Sequence, residues 1–164
     1  MSRIKYCHIC ISCRSVEVIS KFYQEVFDCK PLDPYRNMKG TWAGQLIGCG
    51  EDRWADASVT GEHLMMPGYN DDVSLTIELL EYKPDGKDIQ RDIFDKGLSH
   101  ICFQVPTAEE VGPLVDKLLA HGGSLASQFP DYHKERVAYC RDPEGNLIEI
   151  RRPNDVPDTI RPVK

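Results

Sequence analysis

The 164-residue chain has a formal net charge of −6, with 41% hydrophobic and 28% charged residues. This suits one globular domain or two small modules, and the acidic balance argues against a nucleic-acid partner, since such proteins generally show a basic face. No stretch approaches the roughly 18 uncharged apolar residues of a membrane span, and the N-terminus lacks the pattern of a secretory signal, so a cytoplasmic protein is expected.

The seven cysteines are an odd number and lie mostly inside strand-like runs, which points to reduced thiols. Cys7, Cys10 and Cys13 have the C-x-x-C-x-x-C spacing of some metal clusters. On an extended strand, however, Cys10 points away from the other two, which disfavours a shared ion.

Residues 4–13 form a β-rich run. Ser15 then stands as a helix N-cap before Val18, Ile19, Phe22, Tyr23 and Val26, which are spaced for one helical face. Extended segments are expected at 30–35 and 41–49, and a stronger one at 73–82 with Leu75, Ile77 and Leu79 on its apolar side. The first half therefore reads β-α-β-β-β.

The second half repeats the order. Residues 98–105 form a strand, and Thr107 to Glu110 has the pattern of a capping box opening a helix with Val111, Leu114, Val115, Leu118 and Leu119 inward. Gly122 and Gly123 stop that helix, and His121 beside them fits a C-terminal cap. A weak strand at 124–129, a better one at 135–140, the turn Asp142-Pro143-Glu144-Gly145-Asn146 and a last strand at 147–151 complete the copy.

An internal duplication is the economical explanation. The expected organisation is one domain over 1–152, with module 1 at about 3–83, module 2 at about 97–152 and an extended tail at 153–164. His8 to Glu78 spans 70 positions and His100 to Glu149 spans 49, a surplus of 21. The segment 50–70, rich in polar residues, Gly and Pro, is the expected home of that surplus. It carries Trp54, His63, Met65 and Met66, and reads either as a lid or binding loop or as a surface loop or dimer contact.

Four ionisable residues lie within these hydrophobic strands, where side chains alternate between faces. His8 shares a face with Tyr6, Cys10 and Ser12, against Ile9 and Ile11. Glu78 shares one with Ser74 and Thr76, against Ile77 and Leu79. His100 sits with Cys102 and Gln104, against Ile101 and Phe103, and Glu149 stands between Ile148 and Ile150.

Each module thus offers one His from its first strand and one Glu from its last, both on the more polar face. Two imidazoles and two carboxylates suit one divalent ion, whether Zn, Ni, Co, Mn or Fe, with positions left for water or substrate. Cys10 and Cys102, two residues beyond the histidines, are expected to pack beside the ion. His63 and His133 have no comparable context.

The segments YCHICISC, VISKFYQEVFDC, IELLEY, LSHICFQV and YCRDPEGNLIEI resemble the markers of the vicinal oxygen chelate (glyoxalase/bleomycin resistance/dioxygenase) superfamily, over roughly residues 3–152. IELLEY and SHICFQV are also similar to methylmalonyl-CoA epimerase-like members. The resemblance implies an α+β fold of two tandem βαβββ modules whose mixed sheets curl around a metal site. It places His8, Glu78, His100 and Glu149 on the ligand positions of glyoxalase I-like members.

It also implies chelation of two neighbouring substrate oxygens, and proton removal beside a carbonyl by a ligand carboxylate, Glu149 first and Glu78 second. Three function classes follow. The first is a lyase or isomerase acting on a small molecule through an enolate, favoured by the two carboxylates. The second is a non-haem Fe(II) dioxygenase using His8, His100 and Glu149. The third is a binding or resistance protein without turnover. A homodimer is expected because such open sheets leave edges to cover.

Overall fold

The computed structural model describes residues 7–32, 36–68, 76–88, 92, 94–127 and 136–153. His133, most of the tail, and parts of the segments expected at 4–13, 30–35, 50–70, 73–82, 124–129 and 135–140 lie outside the described residues. The chain divides into two compact units, Met1–Ile89 and Gln90–Lys164. Among the described residues no helix is long and apolar enough to cross a membrane.

In the first unit, β1 (His8–Cys13) leads into α1 (Val16–Phe27). Then come β2 (Lys30–Pro31), β3 (Arg36–Lys39), α2 (Thr41–Ile47), a 3-10 turn at Glu51–Arg53, β4 (Ser58–Met65) and β5 (Thr76–Lys83). The sheet order is β1-β5-β4-β2, with β3 also on β4. β1 runs parallel to β5, while β4 is antiparallel to β5, β2 and β3.

Ser15 caps α1 as expected, its Oγ accepting from the Val18 N–H at 3.3 Å. Glu81 Oε2 accepts from the Val16 N–H at 3.3 Å, which sets a carboxylate at the positive end of the helix. Val16, Ile19, Phe22, Tyr23, Val26 and Phe27 are buried, and α1 packs on β4 and β5. Val18, assigned to the same face by spacing, is exposed instead. The sheet meets the helix with Ile11, Cys13, Leu64, Ile77 and Leu79, all buried. Since each large apolar side chain contributes about 1.5–3 kcal/mol when fully buried, this layer carries the unit and leaves the opposite sheet face free for polar groups.

Two expectations in this unit fail. Residues 41–49 are not extended. Gly40 (φ 78°) and Gly48 (φ 71°) bracket a short helix, whose buried Ala43 and Gly44 form its inner side. A Cβ at Gly44 would lie 2.6 Å from the Trp54 Cα, so only glycine allows Trp54 this close. Trp54 donates from Nε1 to the Cys49 carbonyl at 2.9 Å, which makes it a structural anchor of the connection.

Residues 58–65, within the segment placed outside the repeat, form β4, the strand between β5 and β2. Its inner face includes Glu62, a buried carboxylate, and the other face includes Gly61, so the apolar alternation that marks a strand is broken. Among the described residues, those without a counterpart in the second unit are β3, α2 and the 3-10 turn at Glu51–Arg53, all upstream of β4.

The second unit contains β6 (Ile101–Gln104), a 3-10 turn at Ala108–Glu110, α3 (Val111–Ala120), β7 (Ser124–Leu125), β8 (Val137–Arg141) and β9 (Leu147–Arg151). Its sheet order, β6-β9-β8-β7 with β6 parallel to β9, repeats β1-β5-β4-β2. The fold is thus α+β, two mixed sheets of one βαβββ plan.

Thr107 does not cap the backbone of α3. Its hydroxyl donates to Glu110 Oε1 at 3.2 Å, and the α-helix begins one turn later at Val111. Pro113 is tolerated because the first helical turn needs no N–H there. Val111, Val115 and Leu118 are buried, Leu114 only partly, and Leu119 is exposed.

The helix stops as expected. Gly122 takes φ 90°, the Gly123 N–H donates to the Leu118 carbonyl at 3.1 Å, and His121 Nδ1 meets the Lys117 carbonyl at 2.7 Å. The β8–β9 turn is held by the buried Asp142, whose carboxylate accepts from the Glu144 N–H, the Asn146 N–H and the Asn146 amide at 2.9, 2.9 and 2.8 Å.

Candidate metal centre

The sheet face turned away from α1 carries His8, Cys10, His63 and Glu78. In the parallel β1–β5 pair Cys10 stands opposite Glu78, so His8, Cys10 and Glu78 share that face. Thr76 Oγ1 donates to the Cys7 carbonyl at 3.2 Å, tying the start of β1 to β5. In the antiparallel β4–β5 pair His63 lies directly opposite Glu78.

The two imidazoles divide the carboxylate between them. His8 Nε2 is 3.2 Å from Glu78 Oε2, and His63 Nε2 is 3.4 Å from Glu78 Oε1. The imidazole rings meet edge-on, with centroids 5.4 Å apart at 64°. His63 is the least exposed of the three side chains, at 15%, against 35% for His8 and 21% for Glu78.

The second unit builds the same arrangement with one change. Cys102 stands opposite Glu149 in the parallel β6–β9 pair, and Tyr139 stands opposite Glu149 in the antiparallel β8–β9 pair. His100 Nε2 is 2.9 Å from Glu149 Oε2, and the Tyr139 hydroxyl donates to the same oxygen at 3.3 Å. The His100 and Tyr139 rings meet at 5.4 Å and 87°. His100 Nδ1 lies 3.1 Å from Ser99 Oγ, which fixes the ring from its other side. Tyr139 thus occupies the position that His63 holds in the first unit.

The thiols beside these groups stay protonated at neutral pH. Burial, and then the Glu78 charge, push Cys10 up to about 11; burial, and then Glu149, push Cys102 up to about 11. Both cysteines stand on the site face, and neither is poised as a thiolate nucleophile. Burial likewise raises Tyr82, which is hydrogen-bonded to Cys10. Tyr82 also lines a cavity of about 240 Å³ together with Cys49, Arg53 and Lys83, so the site face continues toward an opening with two cationic side chains.

The structure therefore brings His8 to Glu78 and His100 to Glu149, one pair in each unit. His63 and Tyr139 are the site-face residues that sequence reasoning missed. Once β8 is aligned on β9, the burial of Ala138 and Cys140 places Tyr139 on the polar face, and that alternation was present in the sequence. His63 offered no such signal, because it is legible only after β4 is recognised as a strand. His8, His63 and Glu78 each present a donor atom within 4.8 Å of the other two. Neutral imidazole nitrogens and a carboxylate oxygen are the donor set of divalent transition metals, so these residues fit such an ion.

Two mixed sheets of one plan, each with a His/Glu pair on its free face, define a paired-module protein with a metal-type donor set. The chain belongs to the Glyoxalase/Bleomycin resistance protein/Dioxygenase superfamily, whose family model matches residues 5–150. Among solved structures it is similar to a glyoxalase family protein from Bacillus cereus, at 21% identity and a TM-score of 0.68, covering 93% of this chain and 97% of that one. It is also similar to a glyoxylase/bleomycin resistance protein/dioxygenase domain from Frankia sp. EAN1pec, at 20% identity and a TM-score of 0.62, covering 95% and 96%. The fosfomycin resistance protein FosX from Listeria monocytogenes, solved with Mn(II) and a dihydroxypropylphosphonic acid, matches at 16% identity and a TM-score of 0.57, covering 92% and 93%. No curated protein matches the sequence.

Proposed function

We propose that the protein is a metal-dependent enzyme of the glyoxalase type, a lyase or isomerase that transfers a proton at the carbon next to a carbonyl or thioester of a small molecule. His8, Glu78, His100 and Glu149 together hold one divalent ion. The observation that carries this reading is the recurrence of a His/Glu pair at the same strand register in both units. FosX, which shares the fold, was crystallised with Mn(II), which supports a divalent ion here as well.

When bound, the ion supplies positive charge beside the oxygen that becomes negative as the proton leaves. The chain supplies the base. Glu149 is favoured because His100 and the Tyr139 hydroxyl both engage the same oxygen, Oε2. Glu78, by contrast, has one imidazole on each oxygen, so removing a proton there costs a contact whichever oxygen is used. Tyr139 orients Glu149 through its hydroxyl, and Ser99 steadies His100.

The test is solvent exchange in D₂O with 2-oxoaldehyde–thiol adducts and 2-branched acyl thioesters. The enzyme places deuterium at the carbon next to the carbonyl, without dioxygen, and Glu149→Gln suppresses the exchange by about 10²-fold or more. One observation favours a second reading. Two imidazoles and one carboxylate clustered in the first unit are the ligand type of non-haem Fe(II) oxygenases. Uptake of O₂ coupled to turnover would decide for that reading.

A further inference from the structure

We propose that His63 is itself a metal donor, so that the first unit contributes three side chains, His8, His63 and Glu78, to a divalent transition-metal cation. The inference rests on the reading that His8 and Glu78 serve a metal, and it adds a ligand outside the repeated His/Glu pairs. Three observations carry it.

The first is register. β4 and β5 pair antiparallel with His63 directly opposite Glu78, so the two side chains leave neighbouring backbones toward the same face. The second is the position of the donor atoms. Both imidazoles turn Nε2 to Glu78, one toward each oxygen, and the three donor atoms lie within 4.8 Å of one another. Donors about 2.0–2.2 Å from one ion are separated by roughly 3–4 Å, so a small closure of this cluster satisfies the ion. The third is burial. The His63 side chain is 15% exposed, which leaves it facing an imidazole and a carboxylate on a polar sheet face.

The second unit shows what a purely orienting group looks like at this position. Tyr139 stands at the same register and donates its hydroxyl to Glu149. A neutral phenol holds a carboxylate by a hydrogen bond, whereas a neutral imidazole also offers a nitrogen lone pair to a metal. At this register the second unit therefore has a group that can only orient its carboxylate, whereas the first has one that can also donate to an ion.

The experiment uses the full chain loaded with Mn(II), with affinity measured by calorimetry and bound imidazole nitrogens counted by pulsed EPR. Loss of a residue that merely orients a ligand weakens metal binding by about 10–100-fold, so affinity alone does not separate the roles and the nitrogen count does. Two variants are compared with wild type, His63→Gln and His63→Tyr. The second copies the residue of the other unit and keeps a hydroxyl for Glu78, so it preserves the strand pairing if His63→Gln does not. The proposal expects one fewer imidazole nitrogen in both variants, as in His8→Gln, and Mn(II) affinity lowered by about 10²-fold or more. An unchanged nitrogen count in the His63 variants, with a loss in His8→Gln, would overturn it while leaving the metal reading intact. Failure of wild type to bind Mn(II), or any other first-row divalent ion, would overturn both.

Discussion

Gly123, just after α3, lies where the second unit has no room for a side chain. A Cβ there would stand 2.4 Å from Leu118 Cδ2, 2.9 Å from Leu118 Cγ and 2.7 Å from the Arg141 carbonyl oxygen. Leu118 is fully buried, and the Arg141 carbonyl belongs to β8, so neither obstacle moves freely. Inserting a methyl into a packed core costs about 1–3 kcal/mol, and a backbone obstacle places this case near the upper end. Gly→Ala recovers about 0.4–1 kcal/mol by restricting the unfolded chain, which leaves a net loss of about 2 kcal/mol. For a chain of this length that corresponds to a Tm lower by roughly 4–8 °C.

Thermal and urea denaturation of Gly123→Ala would be followed by circular dichroism, with Gly86→Ala as control, since a Cβ at Gly86 meets nothing within 4 Å. Relief of the clash by moving β8 also moves Tyr139 relative to Glu149, so solvent exchange falls along with stability. If Gly123→Ala were as stable as Gly86→Ala, the close approach of the end of α3 to the β8 backbone would be refuted.

Two further predictions concern stability. Burial, and then the Asp28 charge, push the Cys29 thiol up to about 12, and burial pushes Cys140 up to about 11, both from an ordinary value near 9. Their contribution is therefore complete below about pH 9 and is lost as pH rises toward 11–12, because only the unfolded chain releases those protons in that window. Urea denaturation of wild type between pH 8 and 11 should show stability falling by up to about 1.4 kcal/mol per pH unit for each thiol. A Cys29→Ala/Cys140→Ala variant, although less stable at pH 8, should show a shallower fall; an equal slope would refute the assignment. Asp142→Ala removes the acceptor of three hydrogen bonds in the β8–β9 turn and should cost about 2–4 kcal/mol, with Asp142→Asn costing markedly less. Equal losses in the two variants would mean that charge, not the geometry of the turn, is what matters there.

The parts of the fold that were legible in the sequence are those where local chemistry and burial agree. Ser15 before an apolar helical face, the paired glycines after α3 and the Asp142 turn each satisfy backbone groups in a way that their residue types dictate. The His/Glu pairing was legible because strand alternation set an ionisable residue against buried Ile and Leu in both halves. β4 was hidden for the converse reason, since Glu62 interrupts its inner face and Gly61 adds no side chain to the other. A tertiary environment, α1 on one side and the polar site face on the other, holds this strand where its own pattern does not. The helix over Thr41–Ile47 was hidden because its order depends on Trp54 reaching back over Gly44, a contact between residues that no periodicity links. His63 was missed as a direct consequence, because its meaning depends on the register of β4 against β5.

If two His/Glu pairs, one from each repeat, serve a single ion, the histidines of both repeats are needed to hold it. The most direct measurement is elemental analysis of the full chain purified without added metal and then titrated with Mn(II), Zn(II) and Fe(II), beside a His8→Ala/His100→Ala variant shown by circular dichroism to be folded. A shared site gives about one divalent ion per wild-type chain and less than about 0.2 in the variant, because two of the imidazole donors are gone. Equal stoichiometry in the two proteins, or no ion in wild type under any of the three metals, would contradict it.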